Sequence, residues 1–517
     1  MRVLPNCTGL LGCFQCSMKA IARAAVAIFA LFASTINIYM LVRIYESQAR
    51  DLRALTSVDY VQLHDNLVTL DQAELLSEGG QLRRSRNITQ ETMPWSGLLD
   101  FFPDLAGTPS KTLEPILLTP RSRVRKKLII GIPVAERNKD YSIFTLTSLF
   151  SKLDEKYKKD IVFLVMFATA NQQFVESRTE AIRANFTKEI DDELLEVIAV
   201  PPLWYTTDIA AVPATFNDST NRMFWRTKQN IDYIYIMTYA TPRCEYYMQL
   251  EDDVEAAAAY ARVIFNYIAI KEDTDWFVMS FTSMGFIGKL FSVDNLKYVT
   301  YAIALYYRFK PVDWILEDVL RSRYCSLDKS FKDCVQMISS HAINSGASQF
   351  QHVGKVSSLS GKVQKIRDSN FNKGLARGKR PNPPAVVKTS MKATGRHDAQ
   401  RGYNLNFAMW FTDPNEGSYI SIVFEKPVNV TGIMFLSGVP PAPEDKLGPE
   451  TIVIANSGKQ EINLGRFSPD GDFLFRSRGL NISELSINIT SNIRHWVVID
   501  HIIIDTIPES NSTVTKE

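Results

Sequence analysis

From Leu128 onward, strand-length apolar runs alternate with helical stretches. Leu128-Ile129-Ile130-Gly131-Ile132-Pro133-Val134 reads as a buried first strand. A helix is expected around Ser142 to Leu153, and Ile161 to Phe167 is a second continuous apolar strand. Strands without polar alternation belong in parallel sheets covered on both faces. Leu195 to Val200 is a third such run, ending at Pro201-Pro202. A long helical segment from about Ser219 to Tyr239 then leads into Tyr246-Tyr247-Met248-Gln249-Leu250. A helix from Ala256 to Ile270, a strand from Trp276 to Phe281 and a helical pattern from Asp294 to Tyr324 follow. Strand-helix alternation of this kind implies an α/β fold built on a parallel sheet.

The pattern changes near residue 380, where Pro381-Asn382-Pro383-Pro384 reads as an extended linker. Beyond it, short β-rich runs recur at Tyr419 to Phe424, Val430 to Leu436, Glu450 to Ile454, Leu485 to Ile489 and His495 to Ile504. Turn residues separate them, as in a small antiparallel β-sandwich over 390–517.

The amino-terminal part differs in kind. Ala24 to Val42 carries no charge, and extension to residue 20 adds only Arg23, which can snorkel. At about 1.5 Å per residue that length spans a bilayer. Lys19 and Arg23 before the span and Arg43 and Arg50 after it orient it poorly. The short leading segment favours a signal anchor over a cleaved signal peptide. The expected order is a cytosolic tail (1–19), a transmembrane anchor (20–42), a stem (43–123), a catalytic α/β domain (124–380) and the sandwich. In the stem, Leu52, Leu55, Leu63, Leu67 and Leu70 form a broken helical stripe able to pair with a second copy.

Composition adds bounds. The 517 residues are 45% hydrophobic and 22% charged, so most of the chain is globular. A net charge of +2, with no nucleic-acid motif, gives no sign of a general polyanion binder. Sequons at Asn87, Asn185, Asn217, Asn429, Asn481, Asn488 and Asn511 all follow the span and favour a luminal main body. Cys7, Cys13 and Cys16 precede it and are expected reduced in the cytosol, open to palmitoylation. Cys325 and Cys334 are close enough in sequence to close a small loop, which leaves Cys244 over, and no pair has zinc spacing.

The candidate chemistry centres on Glu251-Asp252-Asp253, at the carboxyl end of the Tyr246–Leu250 strand. Three adjacent carboxylates there need cationic compensation, and a hard divalent cation bridging to a diphosphate supplies it. A solvated acidic turn is the alternative. No dinucleotide fingerprint or Walker loop is present. The loop Thr282 to Lys289, flanked by Gly285 and Gly288, lets backbone approach a ligand, or is a plain turn. Asp313 and Glu317, four apart, share a helix face.

Taken together, these landmarks resemble the N-acetylglucosaminyltransferase IV family, the α-1,3-mannosyl-glycoprotein 4-β-N-acetylglucosaminyltransferases. The resembling segments run in order over roughly residues 128 to 505: Ile130-Gly131-Ile132-Pro133, Trp225 to Asn230, Tyr247 to Asp253, Gly285 to Lys289, Pro311 to Trp314, Phe350 to Gly354 and Ser357 to Lys362. Cys325 and Cys334 also fall where that family has a cysteine pair. The resemblance implies a GT-A (Rossmann-like) domain followed by a lectin-like sandwich, and a Golgi type II membrane protein. It implies UDP-N-acetylglucosamine as donor, a divalent metal (usually manganese), inversion at the anomeric carbon and N-glycan glycoprotein acceptors. On it, Asp253 and His352 become metal ligands, and Glu251 and Asp252 contact ribose or ligand waters. Asp313 or Glu317 becomes the base, with Asp318 left open. Pro133, Val134 and Arg137 lead to the uridine, Arg226 and Lys228 reach the diphosphate, and Gly285 and Gly288 pack against donor or acceptor. In the sandwich Asp445 is the better sugar contact, while Trp410 is core. A catalytically silent relative, binding and regulating other Golgi transferases, is the competing expectation.

Overall fold

The computed structural model describes residues 93–95, 97–137, 139–345, 348–355, 368, 371, 382–405, 408–438 and 442–507. The expected tail, anchor and stem up to residue 92 lie outside that set, as do Asn87, Asn511, Cys7, Cys13, Cys16 and Ser357 to Lys362. Among the described residues, no helix is long and apolar enough to cross a membrane.

The strands of the first body are β1 (Ile116–Leu117), β2 (Lys126–Ala135), β3 (Ile161–Ala168), β4 (Leu195–Ala199), β5 (Cys244–Gln249), β6 (Val254–Ala256), β7 (Val278–Ser280), β8 (Lys289–Ser292), β9 (Ala342–Asn344) and β10 (Phe350–His352). Its helices are α1 (Ser142–Ser151), α2 (Gln172–Asn185), α3 (Thr187–Asp191), α4 (Thr220–Ala240), α5 (Tyr260–Lys271), α6 (Val293–Tyr306), α7 (Val312–Tyr324) and α8 (Phe331–His341). One mixed sheet has the order β1-β4-β3-β2-β5-β8-β7-β9. β4, β3, β2 and β5 are mutually parallel, and β8 runs antiparallel to β5.

The continuous apolar runs have a direct cause. In β3, Phe163, Val165 and Phe167 enter one core while Val162, Leu164 and Met166 enter the other. A strand covered on both faces has no solvent side to mark with polar residues. Gly131 in β2 meets the Tyr247 ring, which fills the space a side chain would take.

The stem boundary needs correction. Met93, Trp95, Leu98, Phe102, Leu105 and Leu113 are buried in the core on the α4 side of the sheet. Trp95 lies 5.1 Å from Trp204, Phe102 stacks on Tyr307 at 5.1 Å, and β1 pairs with β4. Residues 93–123 therefore belong to the globular body. Single aromatic anchors between prolines and glycines hold them, a mode with no periodicity to read. Likewise, the single helical pattern from Asp294 to Tyr324 is two helices, α6 and α7, because Pro311 cannot continue a helix.

The second body comprises β11 (Ala385–Thr389), β12 (Lys392–Ala393), β13 (Met409–Thr412), β14 (Tyr419–Ser437), β15 (Thr451–Ser457), β16 (Gln460–Arg466), β17 (Asp472–Ile489) and β18 (Val497–Thr506). They make an antiparallel array in the order β12-β13-β18-β14-β17-β15-β16, with β11 on β14. β11 moves the start of the sandwich from 390 to Ala385. Asn382, expected in a linker, bonds the backbone of Ile502 and Ile504.

The two bodies are packed together. Met434, Leu436 and Val498 of the sandwich share a core with α5. Buried Arg262 donates to Asp472 at 2.5 Å and to the Ser437 carbonyl at 2.8 Å, and Lys271 pairs with Asp505 at 2.6 Å.

Candidate functional site

The acidic triplet stands where β5 ends, at the carboxyl edge of the parallel strands, where α/β sheets bind ligands. Three neighbours fix it. Thr145 on α1 donates to the Asp252 carbonyl at 2.7 Å and accepts from the Val254 amide at 3.0 Å. β6 pairs with β10 so that Val254 faces His352, and the Val353 amide donates to the Asp253 carbonyl at 2.8 Å. Gly354 is buried against the Asp253 carboxylate, where a methyl group would overlap it. A two-stranded ladder thus brings a histidine a hundred residues downstream onto the triplet.

Ligand atoms of Glu251, Asp253 and His352 all lie within 4.8 Å of one another. His352 Nε2 is 3.3 Å from Asp253 Oδ2 and 3.8 Å from Glu251 Oε2. The Arg137 guanidinium bridges Asp252 and Asp253, the latter at 2.9 Å, and rests 5.1 Å from the Tyr141 ring. Asp252 Oδ2 and Asp253 Oδ1 are buried and make no hydrogen bond among the described residues. Orphaned carboxylate oxygens are costly, and one arginine does not balance three carboxylates. Two carboxylates and an imidazole fit a divalent cation.

The electrostatics carry the same strain. Burial pushes the Glu251 carboxyl up to about 7, and the Asp253 charge adds to the push. Burial also acts upward on Asp253, but the His352 hydrogen bond and Arg137 outweigh it and hold that carboxyl below its usual range. His352 is raised: burial opposes its charge, and the Asp253 contact overcomes burial.

A cleft of about 780 Å³ opens over the triplet. Pro133, Arg137, Glu251, Asp252, Asp253, Gly285, Asp313 and His352 line it, joined by Lys228 from α4. Asp313 begins α7 and faces the Gly285 turn, whose φ of +43° favours glycine. Its side chain is open to water, yet the surrounding protein of the cleft partly desolvates it. That desolvation raises its carboxyl, Lys289 acts against the shift, and Glu317 adds to it. Lys289 sits opposite Gln249 at the end of β5 and donates to Ser280 Oγ at 3.0 Å.

Other expected residues fall elsewhere. Val134 points into the core. Glu317 is exposed outside the cleft lining, and Asp318 pairs with Lys310, which leaves Asp313 as the acid at the site. Gly288 closes the turn beneath the loop, its amide donating to the Gln249 carbonyl at 2.8 Å. Buried Arg226 pairs with Asp218 at 2.9 Å and bonds the Phe309 carbonyl at 3.1 Å; it lines no part of the cleft. Lys228 does line it, tied to Asp232 at 2.8 Å and to the Ala168 carbonyl at 2.7 Å.

Asp445 lies in the sandwich, half-buried, its carbonyl accepting from the Val498 amide at 2.8 Å. Trp410 is partly buried against the shared core and lies 6.0 Å from the exposed Trp496 ring. Cys325 and Cys334 form a disulfide, while Cys244 is a buried free thiol. Asn185, Asn217, Asn429 and Asn481 are exposed, and Asn488 is half-buried within β17.

On the α4 wall the sequence reading gave a role to Lys228 and missed its neighbours. Asn221, Phe224, Trp225, Lys228, Gln229 and Asp232 of α4 all face the cleft. Their three- and four-residue spacing was the available signal. Thr145 carried none, and Lys289 and Gly354 fell inside resembling segments with no role readable, since each acts only through a tertiary neighbour.

Residues 95–371 match the family model described as the MGAT4 conserved region, and residues 385–501 that described as the MGAT4 C-terminal domain. The chain is 35% identical over 409 residues to alpha-1,3-mannosyl-glycoprotein 4-beta-N-acetylglucosaminyltransferase A of Xenopus tropicalis, covering 76% of each. It is 31% identical over 497 residues to the B protein of Homo sapiens, covering 89% of this chain and 90% of that one. Among solved structures, the sandwich resembles the family 32 carbohydrate-binding module of C. perfringens NanJ, with 11% identity, 23% of this chain, 92% of that chain and a TM-score of 0.20.

Proposed function

This chain belongs to the MGAT4 family, and from that premise we propose that it transfers N-acetylglucosamine from UDP-N-acetylglucosamine, in β-1,4 linkage, to the α-1,3-arm mannose of N-glycans. It is a glycosyltransferase of GT-A type on this reading, inverting, and anchored in the Golgi membrane by residues 20–42 with its catalytic body in the lumen. The observation that carries the site assignment is the cluster of Glu251, Asp253 and His352 at the sheet's carboxyl edge, with two carboxylate oxygens unpartnered among the described residues.

The roles follow from position. Asp253 and His352, with Glu251 beside them, would hold the divalent ion, which when bound supplies charge neutralisation to the diphosphate leaving group. Asp313, on the facing wall, takes the proton from the mannose O4 hydroxyl. O4 forms its bond to the sugar's anomeric carbon as the bond to the β-phosphate oxygen breaks, and UDP departs. Arg137 and Lys228 bring positive charge to the same cleft. Asp445 remains the proposed sugar contact of the sandwich.

The test is transfer itself. Purified protein with manganese, UDP-N-acetylglucosamine and a defined N-glycan should yield a product with one new β-1,4-linked residue. Asp253→Asn should abolish the product and keep the folded circular dichroism spectrum. A silent, regulatory relative would give no product with any N-glycan. The cluster of Glu251, Asp253 and His352 and the acid across from it speak against that alternative.

A further inference from the structure

Next to the cleft-lining residue Asp313, the surface carries exposed aromatic rings. Trp314, next to Asp313 at the start of α7, is 47% exposed, and Phe216 is 55% exposed. Their rings meet edge to face with centroids 5.0 Å apart. Phe224, on the cleft-lining face of α4, is 44% exposed.

The corner is held in place, which an incidental surface pair does not require. Phe216 and Asn217 both adopt positive φ, +58° and +57°. Two successive non-glycine residues in that region persist only where surroundings impose it, and such outliers cluster at ligand sites. The imposing group is Arg226. It is buried, pairs with Asp218, bonds Thr215 and the Phe309 carbonyl, and lies 5.7 Å from the Phe216 ring. Thr215 in turn donates to the Phe309 carbonyl at 2.8 Å. A cation expected at the diphosphate instead braces the turn that presents Phe216 to Trp314.

Exposed aromatic rings beside a cleft-lining carboxylate suit a ligand with one apolar face and a ring of hydroxyls. A hexose is such a ligand. We propose that Phe216 and Trp314 form the acceptor platform, seating the apolar face of an acceptor hexose and setting its hydroxyl over Asp313. The platform rests on the glycosyltransferase reading. It assigns Phe216 and Trp314 to acceptor specificity and Arg226 to positioning.

The experiment compares full-length wild type with Trp314→Ala, Phe216→Ala and Trp314→Phe. The acceptor is a free N-glycan with an unsubstituted O4 on its α-1,3-arm mannose. Trp314→Ala should raise the acceptor KM about tenfold, the scale of one lost aromatic contact. Phe216→Ala should do so less, and Trp314→Phe should recover most of the loss. Binding of UDP with manganese, measured by calorimetry, should stay within about twofold of wild type, as should the donor KM. An acceptor KM within about twofold of wild type in both alanine variants overturns the platform, as does an equal loss of UDP affinity. If wild type transfers to no N-glycan, the glycosyltransferase reading fails separately. Saturation-transfer NMR with the same glycan then decides the platform alone: signal lost in Trp314→Ala supports it, and equal signal in both proteins overturns it.

Discussion

Replacing Gly354 by alanine should disable the metal site while leaving the fold standing. Gly354 is buried, and its backbone lies in a region open to any L-residue, so only space opposes the change. The added methyl would overlap Asp253 Oδ2 and come within 2.7 Å of Cγ and 3.1 Å of Cβ. The segment cannot simply drift away, because the Val353 amide is bonded to the Asp253 carbonyl at 2.8 Å. The carboxylate must turn, losing Arg137 at 2.9 Å and His352 at 3.3 Å. Overpacking of this size costs about 1–3 kcal/mol. That is less than the about 5–15 kcal/mol by which a typical domain is stable, so the protein should remain folded at a lowered melting temperature. The functional loss should be larger. Displacing a metal ligand's support weakens metal affinity by about 10- to 100-fold, and a shift of about 1 Å at the site costs about 100-fold in rate. Manganese titration by calorimetry, thermal unfolding and kcat should be read on the same preparation. Manganese affinity and kcat both within about twofold of wild type would refute the packing argument. A fall in kcat with unchanged manganese affinity would refute Asp253 as ligand.

Asp313→Asn should lower kcat by about 10²- to 10⁴-fold with little change in the acceptor KM; a loss confined to KM would sink the base assignment. Because burial raises the Asp313 carboxyl and the base must be ionised, activity should fall as pH drops through that raised value. Lys289 opposes the shift, so Lys289→Met should move the acid limb of kcat to higher pH. An unmoved or lowered limb in that pH profile would contradict the sign. Arg262→Met strands a buried Asp472 at the junction with the sandwich and should cost about 3–5 kcal/mol in urea unfolding. A cost below about 1 kcal/mol would mean that the pair is solvent-screened in solution.

The alternating α/β body, the β-rich second body and the acidic triplet at a strand end are all legible in the order of residues. These are legible because they rest on local pattern: a doubly covered strand such as β3 is apolar at every position, and three adjacent carboxylates demand compensation wherever they fall. Membership of the family was carried by ordered motifs that survive in the sequence. Which side chains meet is settled by the packed fold. Arg226 and Lys228 sit two residues apart on α4, yet one turns inward to brace the Phe216 turn and the other faces the cleft. Asp313 and Glu317 share a helix face, but only Asp313 lines the cleft. Met93, Trp95, Leu98, Phe102, Leu105 and Leu113 follow no periodic pattern and are core, because they fill gaps left by distant helices. The cleft is formed by several separate segments converging, and the spacing within any one of them does not encode which neighbour it will face.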